Sequence, residues 1–524
     1  MDMHWADVIA SKLAEAGNVH RIATGITPSG HIHVGNMREI LTGDLIYRAA
    51  KDRNLDASLY YMADDFDPLR KVYPFLPESY SDHVGKPLSE IPSPEDDGRT
   101  YAEYFLEPFL GSVEELGITP IVLPSSISYK EGKYAKAISI LLDERSRVKE
   151  VLQRVSGREL PEDWLPYNAK CSACGRIDSS RALSWEPPYV HYECSCGHAG
   201  RADTRTDDGK LPWRLDWPAR WFWLGVTCEP FGKDHAASGG SYDTSSEIIR
   251  NIMGKEAPVP LVYEWIQLKG KGAMSSSTGV VVTGVDMLNM TPPEVLRFLI
   301  ARYQPNRHID MDPGLGILNL VDEFDRYEEN YYKSDEEEED DRKRTYELSM
   351  VKEDVDREHM KRIINIPYRH LVTLTQLSPD MDGLLEKIKR AENIEDMDEA
   401  SMERLVQRKA CVDYWLENFA PEMVKFKLFE LPPKEEVKQL TDEMVSALEA
   451  MGEDFRNVKW DAESIHNAIY EGSRSRGLSP KTTFKAFYRI LLGKTRGPRL
   501  GFFLSSMDRK EVLKKIDTAL EDGV

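Results

Sequence analysis

The stretch Thr24-Gly25-Ile26-Thr27-Pro28-Ser29-Gly30-His31-Ile32-His33-Val34-Gly35-Asn36 narrows the possible folds more than any other part of the chain. Val19 to Ala23 enters it with the composition of a short buried strand, and Met37 to Ala50 leaves it with Ile40, Leu41, Leu45 and Ile46 at amphipathic-helix spacing. The segment is therefore a strand-to-helix turn. Gly25, Gly30 and Gly35 let the backbone approach a ligand without a side chain in the way. The new helix directs free N–H groups and its positive dipole end at the turn, so the corner suits an anionic, phosphate-bearing ligand.

Strand and helix signals go on alternating. Ala57 to Ala63 reads as a second buried strand and runs into Asp64-Asp65-Phe66-Asp67-Pro68. Ligands of open parallel sheets lie beyond the carboxyl ends of the strands, which makes Asp64, Asp65 and Asp67 candidate site residues. Pro74 to Asp97, rich in Pro, Ser and charge, predicts a surface loop. Tyr101 to Leu116 and Gly132 to Val155 carry helical periodicity, with a strand over Ile118 to Leu123 between them. Leu261 to Leu268 reads as another strand, which would put Tyr263 and Trp265 on one face. The alternation predicts an α/β Rossmann-like domain built on a parallel sheet.

From Tyr346 onward the strand signals vanish. Met402 to Phe419, Glu435 to Met451, Ala462 to Glu471 and Lys481 to Leu492 are all helically patterned, which predicts an all-α C-terminal domain. Thr291-Pro292-Pro293-Glu294 is a helix start, and Arg297, Arg302 and Arg307 beyond it are candidate phosphate contacts. A net charge of −21 excludes nucleic-acid binding by bulk charge, so RNA contact requires local basic patches. Arg474, Arg476, Lys481, Lys485, Arg489, Lys494, Arg496 and Arg499 form the densest such group. No apolar run reaches the roughly 18 residues needed to span a bilayer, and Asp2, Asp7 and Lys12 interrupt the N-terminus. The expectation is a cytoplasmic protein without a membrane partner.

Within Pro166 to Thr204, Cys171-x-x-Cys174 is followed by Cys194-x-Cys196-Gly-His198. Two close thiolate pairs supply four soft tetrahedral ligands, and a small insert with little core of its own needs such a staple. Cys171, Cys174, Cys194 and Cys196 are therefore the predicted ligands of a structural zinc, with His191 and His198 as neighbours, either of which could replace one Cys. Four thiolates leave no open coordination position. Cys228 and Cys411 read as buried core thiols.

Pro28-x-Gly30-x-x-His33-x-Gly35-Asn36 resembles the first signature of the class I aminoacyl-tRNA synthetases, with His33-Val34-Gly35-Asn36 where the family has His-Ile-Gly-His. Lys269-Gly270-Lys271-Gly272-Ala273-Met274-Ser275-Ser276-Ser277-Thr278-Gly279 resembles the second, Lys-Met-Ser-Lys-Ser, although Ala273 and Ser276 replace both family lysines. Trp213 to Trp223, Phe231-Gly232-Lys233-Asp234-His235 and Ser238 to Ser241, with the zinc insert, resemble the lysine-specific branch of that family, found mainly in archaea and some bacteria. The resemblance runs over most of residues 1–330 by motif and over the remainder by layout.

The resemblance implies a Rossmann-like catalytic domain over 1–155 and 206–290, a zinc-binding insert over 156–205, a connecting helical region over 291–345 and an anticodon-binding domain over 346–524. It implies ATP with Mg²⁺ on its phosphates, L-lysine and tRNA(Lys) as substrates. Pro28, Ser29, Gly30, His33, Gly35, Asn36, Gly232, Asp234 and His235 would hold ATP. His33 and Asn36, with Lys269, Lys271, Met274, Ser275, Ser276 and Ser277 of the second signature, would stabilise the departing pyrophosphate. Gly25 and Thr27 would hold the backbone end of lysine. Asp64, Asp65 and Asp216 are candidate anions for its ε-ammonium, walled by Trp213, Tyr263, Trp265 and His235. Two alternatives share these motifs: a class I enzyme for another amino acid, and a tRNA-binding paralogue without catalysis.

Overall fold

In the computed structural model, the described residues are 3–270, 272–273, 282–333, 341–352, 363–378, 380–394 and 396–522. The chain forms two compact units. One comprises Met1–Leu288, Pro293–Met311 and Tyr327–Val355; the other comprises Asn289–Pro292, Asp312–Arg326 and Asp356–Val524.

The first unit is built on a five-stranded sheet whose strands are β1 (Val19–Ile26), β2 (Asp56–Ala63), β3 (Ile121–Pro124), β4 (Cys228–Gly232) and β5 (Val259–Tyr263), in the order β5-β4-β1-β2-β3. Every pairing is parallel, with Val19 opposite Asp56 through Ile26 opposite Ala63. Ile22, Ala23 and Thr24 are buried in succession, as expected for a central parallel strand covered on both faces. The chain leaves β1 toward β2 and β3, then returns to the opposite side of β1 for β4 and β5. That reversal opens a crevice beyond the carboxyl ends of β1 and β4.

Helix α1 (Trp5–Ala16) precedes the sheet and α2 (Val34–Asp52) follows β1, burying Met37, Ile40, Leu41, Leu45 and Ile46. A Cβ at Gly43 would lie 2.7 Å from Thr24 Cγ2, so this position of α2 requires glycine for the helix to seat against β1. The helices α3 (Tyr101–Glu115), α4 (Trp213–Leu224) and α5 (Ser241–Asn251) complete the layers used below. The insert carries an antiparallel sheet of Ser180–Glu186, Tyr189–Cys194 and Ala199–Asp203.

Three local expectations are corrected. Gly132 to Val155 holds two helices, Ala135–Asp143 and Arg145–Ser156, and the Arg145 guanidinium donates to the Leu142 carbonyl at 3.2 Å where the first ends. Pro74 to Asp97 is more than a surface loop: Leu76, Tyr80, Leu88 and Ile91 pack with Tyr101 and Phe105 of α3 into a small core, although prolines break any periodicity there. Leu261 to Leu268 is two strands. Tyr263 ends β5, whereas Ile266–Leu268 pairs with Ile309–Met311 and with Gly272–Ala273 in a separate sheet. Tyr263 is consequently buried, while Trp265 lies between the strands and is 41% exposed.

The secondary-structure elements among the described residues of the second unit are all helices. Its core gathers Leu448, Met451, Phe455, Ile465, Ile469, Phe487, Ile490 and Phe503, drawn from Asp442–Asp454, Ala462–Ser475, Pro480–Leu492 and Leu500–Ser505. Glu435 to Met451, expected as one helix, divides into Lys434–Val437 and Asp442–Asp454, the latter starting at a Thr441 cap. No described helix is long and apolar enough to cross a membrane.

Candidate active site

The carboxyl edge of the sheet collects residues remote in sequence. Thr27 to Gly30 follow β1, Asp64 and Asp65 follow β2, Lys233 to His235 follow β4, and Glu264 follows β5. Tyr101 Oη donates to the Ser29 carbonyl at 2.8 Å and fixes the turn after β1. His33 caps α2, and its N–H donates to Asn36 Oδ1 at 3.3 Å, which leaves the Asn36 amide NH₂ as a donor at the helix N-terminus. His33 also bridges Thr283, and Val34 N–H donates to the Val282 carbonyl at 2.9 Å. The downstream flank of the second signature is thereby pinned to the first. Burial pushes the His33 imidazole down to about 4, so near neutral pH it is a neutral hydrogen-bonding group.

The three predicted aspartates already have partners. Arg220 Nη2 binds Asp64 Oδ1 at 2.5 Å and Asp216 Oδ2 at 2.8 Å, and the Tyr129 hydroxyl donates to Asp216. Asp65 accepts from Ser125 Oγ at 3.1 Å and from Ser126 N–H at 2.8 Å. Asp67 accepts from Thr27 Oγ1 at 2.8 Å and from Lys210 Nζ at 2.5 Å. Thr27 is thus tied into the acidic network. Glu229, also buried, accepts from the indole N–H groups of Trp217 and Trp221 at 2.9 and 2.5 Å.

Glu39 is the site residue that sequence reasoning missed. Its Oε1 accepts from Gly25 N–H at 2.7 Å and its Oε2 from the Tyr263 hydroxyl at 2.8 Å. No basic side chain pairs with it among the described residues. It and Asp67 keep accessible surface, whereas Asp64, Asp216 and Glu229 are 4%, 1% and 5% exposed, and Asp67 is already paired with Lys210, which leaves Glu39 as the half-buried carboxylate of this group without a cation. Burial, with the charges of Glu229 and Asp64 adding to it, pushes the Glu39 carboxyl up to about 8. Five carboxylates (Glu39, Asp64, Asp67, Asp216 and Glu229) thus share two resident cations, Arg220 and Lys210. A cationic ligand relieves that surplus. The available signal was spacing: Asn36, Glu39 and Gly43 share one face of α2 at i, i+3 and i+7.

Aromatic walls border this cluster. Trp213 stacks on Trp217 with centroids 5.3 Å apart, and His235 lies 5.8 Å from Trp213 and 5.5 Å from Trp217. Trp213 is 37% exposed, which leaves part of its surface open to a ligand. Lys233 Nζ lies 4.7 Å from the Trp265 centroid and 2.5 Å from Glu264, so Trp265 packs against this ion pair. A Cβ at Gly232 would approach Asp234 Oδ1 to 2.6 Å, so the Asp234 side chain lies directly over this glycine. Lys269 N–H donates to the Met311 carbonyl at 2.9 Å. Lys271, Met274, Ser275, Ser276 and Ser277 lie outside the described residues.

Arg297 is corrected as a phosphate contact. It is fully buried, bound to Asp44 Oδ2 at 2.6 Å and to the carbonyls of Leu116 and Leu348 at 3.1 and 2.9 Å.

Cys171, Cys174, Cys194 and Cys196 bring their Sγ atoms within 4.8 Å of one another, with Cys171–Cys196 and Cys174–Cys194 both at 3.7 Å. A tetrahedral zinc with Zn–S bonds of about 2.3 Å sets its sulfurs about 3.8 Å apart, so this set fits the ion. Cys228 and Cys411 are buried.

Comparison with known proteins agrees with this geometry. The family described as "tRNA synthetases class I (K)" matches residues 3–352, and "Anticodon binding domain" matches residues 389–520. A lysine--tRNA ligase of Picrophilus torridus is 44% identical over 521 residues, covering 99% of this chain and 100% of that protein. Lysine--tRNA ligases of Thermoplasma volcanium and Archaeoglobus fulgidus are each 44% identical, covering 99% of this chain and 99% and 100% of theirs.

Proposed function

The chain belongs to the class I lysine tRNA synthetases, and from that premise we propose that it joins L-lysine to tRNA(Lys), with Glu39 and Tyr263 receiving the ε-ammonium of the amino acid. The observation that carries the assignment is the accessible, cation-free carboxylate of Glu39 within a cluster holding five acids and two bases. Lysine brings two ammonium groups. The one at the end of four methylenes reaches Glu39, and the backbone end lies against Gly25 and Thr27. Asp64, Asp65, Asp67 and Asp216 hold the pocket's shape through Arg220, Lys210 and the two serines, while Trp213 and His235 wall it.

In the first step a lysine carboxylate oxygen attacks the α-phosphorus of ATP. A P–O bond forms to give lysyl-adenylate, and the bond to the β-phosphate bridging oxygen breaks to release pyrophosphate. The nucleophile is already ionised at pH 7, so no general base is needed, and catalysis is alignment plus stabilisation of phosphate charge. Pro28, Ser29, Gly30, Gly35, Gly232, Asp234 and His235 line the nucleotide's seat. His33, the Asn36 amide and the α2 N-terminus donate to phosphate oxygens. Mg²⁺ bound with ATP would supply charge neutralisation to the phosphates, and Lys269 and Lys271 stand in for the missing signature lysines. In the second step the 2′-hydroxyl of the terminal ribose attacks the adenylate carbonyl, an ester forms, AMP leaves and the hydroxyl proton passes to solvent.

Cys171, Cys174, Cys194 and Cys196 would hold a structural zinc, and four thiolates would leave it no open position for substrate while it staples the insert. The helices over 346–524 read the anticodon, and the enzyme works in the cytoplasm. Charging of a tRNA(Lys) transcript with lysine, arginine, glutamate or cysteine tests the proposal. Lysine alone should be esterified, and equal or preferred esterification of another amino acid overturns it.

A further inference from the structure

In the second unit, helices Ala462–Ser475 and Pro480–Leu492 lie against each other and carry a surface unlike the acidic remainder of the chain. His466, Tyr470 and Arg474 follow at i, i+4 and i+8, a single stripe of the first helix. His466 and Tyr470 are both exposed, with centroids 4.8 Å apart, and Phe484 of the second helix stands 5.6 Å from Tyr470, nearly edge-on at 64°. The Arg474 guanidinium lies 5.7 Å from the Tyr470 centroid.

The structure also sorts the basic group of this region. Arg476 is held by Asp454 at 2.8 Å, Arg489 by Glu436 and by Gln439 at 2.9 Å, and Lys494 by the carbonyls of Lys425 and Glu422 at 2.5 and 3.4 Å. Arg474 and Lys481, both exposed, and Lys485, half-buried, have no hydrogen-bond or ion-pair partner among the described residues. Three uncommitted cations thus share these two helices with the three rings, in a chain of net charge −21. Glu463, three residues before His466, lies at the N-terminal end of the same face, and Glu471 falls off it.

We propose that His466, Tyr470 and Phe484, ringed by Arg474, Lys481 and Lys485, form the platform on which unstacked bases of the tRNA anticodon loop are laid. The inference rests on the proposed tRNA(Lys) substrate and locates its distal contact. Single-stranded RNA loops offer splayed bases that stack on aromatic rings and guanidinium planes, with lysines on the flanking phosphates. A protein partner would instead favour a contact core depleted of charge, whereas these rings have the Arg474 guanidinium 5.7 Å from Tyr470. Base stacking on one ring is worth about five- to a hundredfold in affinity.

The experiment compares full-length wild type, Tyr470→Ala and Tyr470→Phe for binding to two transcripts: intact tRNA(Lys) and the same tRNA with its anticodon loop replaced by a closed tetraloop. Loop replacement should weaken wild-type binding about tenfold or more, Tyr470→Phe should behave like wild type, and Tyr470→Ala should bind both transcripts with nearly the same weakened affinity. The kcat for charging at saturating tRNA should stay within about twofold in Tyr470→Ala, which also reports that the variant is folded. A full loop-replacement effect in Tyr470→Ala overturns the platform while leaving the substrate standing. Failure of wild type to charge either transcript with lysine instead overturns the underlying function.

Discussion

The Tyr263 hydroxyl donates to Glu39 Oε2 at 2.8 Å, joining the last residue of β5 to the middle of α2 across 224 positions of sequence. With Gly25 N–H on the other oxygen, it orients a carboxylate that has no basic partner among the described residues. Such a group is costly to ionise until a cation arrives.

Lysine binding should therefore be linked to loss of a proton. Burial raises the Glu39 carboxyl to about 8 in the free protein, well above its value in an unfolded chain. The protonated form consequently stabilises the free protein at low pH, and that contribution is lost as pH rises through about 8. The ammonium selects the ionised form, so below pH 8 each lysine bound expels one proton. The dissociation constant for lysine should fall about tenfold per pH unit between 6 and 8 and then level, since the ligand's own amine titrates near 10.4. Calorimetry in buffers of different ionisation enthalpy counts the proton directly; no proton exchange at pH 7 would remove Glu39 as the ammonium receptor.

Arg220→Met tests the resident network. Arg220 is 2% exposed and spans Asp64 and Asp216, so its loss leaves two buried carboxylates unpaired. Denaturant melts should show a loss of about 3–5 kcal/mol. Asp64 is held at about 6, chiefly by burial offset by Arg220, and without the guanidinium it takes up its proton at still higher pH. The difference from wild type should therefore be smallest near pH 5 and grow as pH rises through about 6. A pH-independent difference would assign Arg220 a packing role only.

The phosphate corner was legible because its chemistry is local. Glycine spacing, a helix start and His33 lie within 13 residues, and the helix forms where the apolar period puts it. The Cys pairs were legible for the same reason. The amino-acid pocket was less so, because an acidic residue at a strand end reads alike whether it faces a ligand or an arginine. Asp64 and Asp216 proved to hold Arg220, four residues beyond Asp216 on α4, while Glu39 sits in an ordinary Met-Arg-Glu-Ile helical run. Tyr263 and Trp265 were separated by a chain turn between two sheets that no Gly or Pro announces.

His33→Ala should lower the rate of adenylate formation by about 10²–10³, the usual loss for one preorganised donor, with little change in lysine affinity. Because burial holds His33 near 4, wild-type rates should show no inflection from this residue between pH 6 and 8. Single-turnover measurements across that range check both statements.

Cys194→Ser should release metal from the insert. Metal analysis of freshly purified wild type should find about one zinc per chain, and the variant close to none. Thermal melts of the variant should show the insert unfolding early. Metal-free wild type with an unchanged melt would contradict the structural role.

The central claim is that Glu39 inspects the ε-ammonium, and amino-acid-dependent ATP–pyrophosphate exchange with tRNA present tests it most directly. Wild type and Glu39→Gln are compared on lysine and on norleucine, which has the same chain without the charge. Glu39→Gln keeps the volume and a hydrogen-bond acceptor but no counter-charge. It should lose about 3–5 kcal/mol in kcat/KM for lysine, with norleucine nearly unaffected, so that the preference for lysine collapses. Retention of the wild-type lysine-to-norleucine ratio in Glu39→Gln would contradict the assignment.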